Sequence, residues 1–194
     1  MLKIGQQRRA FHEAGHAVAA IAHGLAVKSI SLPPADAPAG PAGGTYERAV
    51  LSAAADPADQ VEALRVDIVV TLAGFAAQMR LRPAKRNFVE CADDLKLAEA
   101  WASWATFIAR VMSMAEFDID GKIELSEEEQ AYADQLLDEC QERAVQIVTD
   151  RWDDIETVAD ALLDRGVLDA DDIDALLGNR RDHTVQLLLG RKPS

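Results

Sequence analysis

Apolar residues return at steps of three and four near the start of the chain. Phe11, Gly15, Val18, Ala22 and Leu25 share one side of a helix over about 5–25. Positions 27–32 (VKSISL) then alternate as a short strand does, and PPADAPAGPAGG at 33–44 breaks regular structure with its prolines and glycines. A second strand over 45–51 pairs back on the first, which predicts a small two-stranded β element. Asp56 before Pro57 marks a helix start: a carboxylate that accepts from exposed backbone N–H groups, then a residue whose missing N–H is not needed there. That helix runs to about residue 80. It is apolar on nearly every side from 68 to 77, so it predicts a buried element, and Gly74 suits close packing.

LRPAKRNFVE at 81–90 reads as a basic loop, and a helix over about 93–114 follows, rich in alanine and carrying Trp101 and Trp104. Ser126 and Glu129 form a capping box that opens a long helix with Tyr132, Leu136, Cys140, Ala144 and Ile147 on one side. Two shorter helices, over about 151–164 and 170–177, are punctuated by Gly166 and capped by Asp169. No internal repeat is present. The predicted fold class is mainly α: a helical domain with a small two-stranded β element and a C-terminal helical section.

Composition adds bounds to this picture. With 194 residues, 49% hydrophobic and only 5% aromatic, the chain suits one domain with a real core, built of helices rather than a sandwich. The net charge of -13 is uneven: 1–115 is nearly neutral, 116–174 holds 21 acids against 4 bases, and the end of the chain is basic. We therefore expect a core over 1–115, an acidic helical section over 116–178 packed on it within the same domain, and a flexible basic tail over 179–194. The acidic balance argues against nucleic acid or an anionic membrane surface as partner. No stretch of 18 uncharged apolar residues occurs and the N-terminus lacks a signal-peptide core, so the expectation is a cytoplasmic protein without direct membrane insertion. Cys91 and Cys140 form no CxxC pair and no disulfide framework.

Inside the first helix lies His12-Glu13-Ala14-Gly15-His16. Residues four apart on a helix are offset by about 40° around the axis and one turn along it, so both imidazoles point to a common place. Neutral imidazole is a good zinc ligand, and a catalytic zinc keeps one of about four positions for water. Glu13 sits about 100° round from His12, poorly placed as a ligand but able to take a proton from the zinc-bound water. HExxH thus supplies two ligands and a general base in one turn. A metzincin site would need Gly at 19 and His at 22, and both are alanine here. His23 is one place late and reads as a capping or surface residue, as does His183 in the basic tail. The third ligand must then be a carboxylate or Cys91. The densest cluster is Glu90-Cys91-Ala92-Asp93-Asp94, where Asp93 or Asp94 could equally cap the next helix.

FHEAGHAVAA at 11–20 resembles the zinc helix of the FtsH-type peptidase domain, the proteolytic half of membrane-tethered AAA proteases. GGTY at 43–46, LAGFAAQ at 72–78 and ADDL at 92–95 resemble that family's later motifs, in order, and IETVADALLDRGVLDADDIDALL resembles its C-terminal helices. The resemblance implies a helical zinc-peptidase domain in which His12, His16 and Asp94 hold Zn2+ and Glu13 is the base. It also implies polypeptide substrates and an extended segment accepting them along the strand near 45–50. The chain departs from the family in places: Phe75 replaces an arginine, Gln78 and Met79 replace paired glutamates, and FVEC precedes ADDL. No P-loop motif or AAA module is present, so a separate ATPase is a conceivable partner and unfolded or flexible polypeptides are the expected substrates. The alternative is a non-proteolytic zinc-binding interaction or regulatory module on the same fold. EFDIDGKIELSE at 116–127 has a calcium-loop pattern, but its first position is Glu and no second loop accompanies it.

Overall fold

The computed structural model describes residues 4–33, 43–46, 56–82, 91–110 and 125–177. In chain order these form α1 (Ile4–Ala22), β1 (Val27–Ser31), β2 (Gly43–Tyr46), α2 (Pro57–Leu81), α3 (Ala92–Arg110) and α4 (Glu127–Asp150). Then come α5 (Trp152–Arg165), β3 (Val167–Asp169) and α6 (Ala170–Leu177). The chain is mainly helical, as its periodicity indicates.

The first helix is buried on every side from Ala10 to Ala22, not on one face only. Its many alanines let α2, α4, α5 and the sheet close around it. At Gly15 the approach of α2 is so near that a Cβ would lie 2.6 Å from the Ala73 carbonyl oxygen and 2.8 Å from Ala77 Cβ. The helix stops before the expected residue 25. Gly24 takes φ 75°, and the Gly24 and Leu25 N–H groups turn back to Ile21 and Ala20 carbonyls, each at 2.9 Å. That closes the last turn with a left-handed glycine.

The other boundaries follow their local chemistry. Asp56 caps α2, accepting from Ala58 N–H at 2.8 Å, with Pro57 as the first helical residue. Ser126 and Glu129 make the reciprocal capping box of α4. Gly166, at φ 78°, ends α5, and Asp169 caps α6 through the Asp172 N–H at 2.9 Å. The middle of α2 is buried as its all-round apolar pattern requires.

The β element has three strands, not two. Its order is β2-β1-β3, all antiparallel, with Ile30 opposite Gly44 on one side and Leu168 on the other. The third strand is three residues long and lies between two helices, too short to show alternation, and its partner is distant in sequence. Leu168, Ile30, Ile155, Leu162, Ile173 and Leu177 are all essentially fully buried, so β3 and α6 close one end of the core. From the acidic section, α4 packs on α2 and α3, and α5 on α1, while most of its carboxylates face outward. The buried exception is Asp154, which accepts from Arg151 Nε at 2.6 Å. Among the described residues no helix is long and apolar enough to cross a membrane. The expected continuation of β2 to residue 51, the basic loop from 83, the helix end at 111–114, calcium-loop positions 116–124 and the tail with His183 lie outside the described residues.

Candidate metal centre

Three elements meet at the centre: α1 supplies His12, Glu13 and His16, α3 supplies Asp94 in its first turn, and α2 forms the floor. His12, Glu13 and His16 are 8%, 5% and 7% exposed, so the site is set inside the protein rather than on it. The floor is shaped by Gly74. A Cβ there would stand 2.5 Å from His16 Nε2 and 2.9 Å from His12 Cε1, so only glycine leaves room for both rings.

His12 Nε2 lies 2.9 Å from His16 Nε2 and 3.0 Å from Asp94 Oδ2, which is 3.8 Å from His16 Nε2. One ligand atom from each of the three residues falls within 4.8 Å of the others. Among the described residues no other group of histidine, cysteine and carboxylate converges this way. Asp93 is exposed and takes no part, and His23 sits at the end of α1, outside the cluster.

The ring orientations say which atoms are free. His16 Nδ1 is 2.7 Å from the Val70 carbonyl oxygen, an acceptor only, so Nδ1 carries the proton and Nε2 keeps its lone pair. Burial lowers the His16 pKa, which keeps that ring neutral. His12 Nδ1 faces the Cys91 sulfur at 3.8 Å, and the Cys91 thiol donates to Gln78 Oε1 at 3.0 Å. Gln78 Nε2 in turn donates to the Arg8 carbonyl at 3.4 Å. Cys91 therefore stands behind the His12 ring, on the side away from the cluster, and of the two candidate ligand types only the carboxylate reaches the centre. A single proton on His12 Nε2 can serve one neighbour at a time, whereas a cation between the three satisfies all of them. The donor set fits such an ion: two imidazole nitrogens and one carboxylate oxygen, each ring held by a partner at its other nitrogen.

Electrostatics divides the two carboxylates. Burial pushes the Glu13 pKa up, and the charge of Asp94 adds to this while His16 and Tyr46 offset part of it. Asp94 is also pushed up by its burial, but the His12 hydrogen bond and its position beside the imidazoles outweigh this and hold it below the usual carboxylate range. The two carboxylates are thus pushed in opposite directions, Glu13 up and Asp94 down, the separation that acid–base sites need.

Some members of the centre lie in motifs noted in the sequence, GGTY and LAGFAAQ, but their place beside the histidines was not legible there. Tyr46 comes from β2, its ring 6.1 Å from that of His16 and its hydroxyl beside the Glu13 carboxylate. Gln78 and the Val70 carbonyl hold the rings from behind, and no spacing rule points to either. No known protein-family model matches the chain, and no characterised protein matches it in sequence. The likeness to FtsH-type peptidases therefore rests on the motifs and their order.

Proposed function

We propose that this protein is a zinc-dependent endopeptidase acting on unfolded or flexible polypeptides. The observation that carries this reading is the convergence of His12, His16 and Asp94 with a buried glutamate next to the first histidine. His12, His16 and Asp94 would hold Zn2+, which when bound supplies Lewis acidity to a peptide carbonyl and to water. Glu13 moves the protons: it takes one from the attacking water and gives it to the departing amine nitrogen. Its raised pKa suits both halves of that task. Within the described residues β2 is an edge strand, so an extended substrate segment can add to it beside the centre. Unfolded chains and loose tails meet this need directly, and a folded substrate would require a separate ATPase to deliver it.

The test compares wild type with Glu13→Gln on unfolded casein, with and without a chelator. Wild type should cleave, the chelator should stop it, and Glu13→Gln should bind the same one equivalent of zinc while cleaving about 10²–10⁴-fold more slowly. Equal turnover by both proteins sinks the proposal. Zinc bound at one equivalent by a wild type that cleaves nothing would instead assign a non-proteolytic zinc-binding module.

A further inference from the structure

Tyr46 closes β2 with a buried hydroxyl that faces Glu13 but completes no hydrogen bond of good geometry among the described residues. Buried tyrosine hydroxyls ordinarily find a good partner, and leaving a buried donor unmet is costly. The placement is built in. The side chain lies back across Gly44 so closely that any Cβ there would overlap its hydroxyl and ring. Gly44 thus clears the path by which the phenol reaches the centre. At its end the hydroxyl adjoins Glu13, and the ring meets His16 at 61°. It belongs to the same strand along which an extended substrate would lie.

We propose that Tyr46 is a further catalytic residue of this centre, donating its O–H to the carbonyl oxygen of the peptide bond being cleaved. This rests on the peptidase reading. As the water oxygen bonds to the carbonyl carbon, the carbonyl electron pair shifts to oxygen, and the phenol meets that growing negative charge. The C–N bond then breaks, Glu13 delivers its proton to nitrogen, and the phenol keeps its own proton throughout. A phenol ordinarily ionises only near pH 10, so Tyr46 remains a donor across the neutral range. A donor fixed beforehand at an oxyanion position is worth about 10²–10³ in turnover, more than its ground-state hydrogen bond.

The experiment uses the full chain loaded with zinc and a quenched fluorescent peptide spanning the casein bond that wild type cuts fastest. Tyr46→Phe keeps the ring and removes only the hydroxyl. The expected result is a fall in kcat of about 10²-fold or more with KM changed less than about threefold. Zinc affinity, read by competition with a chromophoric chelator, should stay within about threefold of wild type. Affinity for the phosphinic analogue of the same peptide should fall roughly with kcat/KM, as transition-state analogues do. Tyr46→Phe with wild-type kcat overturns the proposal. So does a variant that loses zinc affinity in step with turnover, which makes Tyr46 a support of the cluster. A variant that only shifts the acid limb of the pH profile while keeping the plateau assigns the hydroxyl to Glu13 and overturns it too. If zinc-loaded wild type neither cleaves casein nor binds a phosphinic peptide, the peptidase reading falls first and the proposal with it.

Discussion

Replacing Gly74 by alanine tests the geometry of the centre without touching any residue that would bind metal. The new Cβ would stand 2.5 Å from His16 Nε2, 2.6 Å from His16 Cε1 and 2.9 Å from His12 Cε1. Ordinary contact begins at 3.4 Å, so His16 Nε2 must retreat by 0.9 Å or α2 must move away from α1. Neither is easy. His16 Nδ1 is held by the Val70 carbonyl at 2.7 Å, and Gly15 already brings α1 against Ala73 and Ala77. Metal–ligand distances tolerate only about 0.2 Å, several times less than the required shift. Zinc affinity should therefore fall by about 100-fold or more, equivalent to at least about 2.7 kcal/mol of binding free energy. The fold itself should suffer less. Overpacking costs about 1–3 kcal/mol, and the helix propensity of alanine over glycine returns up to about 1 kcal/mol. The assay is zinc competition with a chromophoric chelator, alongside urea unfolding of the metal-free protein. Gly74→Ala that binds zinc as wild type does would refute the reading that both imidazoles converge over this glycine.

Three other outcomes follow from single residues. Burial and the Arg143 guanidinium push the His23 pKa from 6.5 to about 4, so the folded state resists protonating it. The stability this side chain contributes is fully present above pH 6.5 and is lost as pH falls towards 4, about 3 kcal/mol in all. His23→Gln should flatten that part of the urea-midpoint profile, and parallel wild-type and variant curves would contradict it. Burial raises Cys140 to about 11, so at pH 8 only about one thiol in a thousand is ionised. Native protein should label at Cys140 with iodoacetamide only as fast as it opens, read by mass mapping with and without urea, and labelling at the rate of a free thiol would show that α4 is not packed as described. Ser126→Ala should cost about 1 kcal/mol by opening the capping box of α4, and an unchanged urea midpoint would mean the box is not formed in solution.

Much of the fold was legible because its signals are local. Asp56-Pro57, Ser126 with Glu129, Gly166 and Asp169 each act on the backbone a few residues away, and each ends or begins a helix where it was expected. The alternation of β1 and the apolar band of α2 depend only on spacing. α1 was harder, because its alanines read as one weak face until neighbours enclosed all sides, and its end depended on a single left-handed glycine. β3 left no trace because three residues cannot display a period, and what makes them a strand is the unfilled edge of β1.

The candidate centre divides the same way. His12, Glu13 and His16 lie within one helical turn, so helix geometry alone brings two imidazoles to one place with a carboxylate beside them. That much the amino-acid order determined, down to the residue. Which downstream group joins them is a question of distance between helices, and only the packing of α3 beside α1 brings Asp94 Oδ2 to 3.0 Å of His12 Nε2 while turning Cys91 to the back of the ring. The tautomer of His16 is set by a backbone carbonyl on α2, the room for both rings by a glycine on the same helix, and the buried phenol by a strand from another part of the chain. None of these has a sequence period, because each is a contact made across the core once the elements have packed.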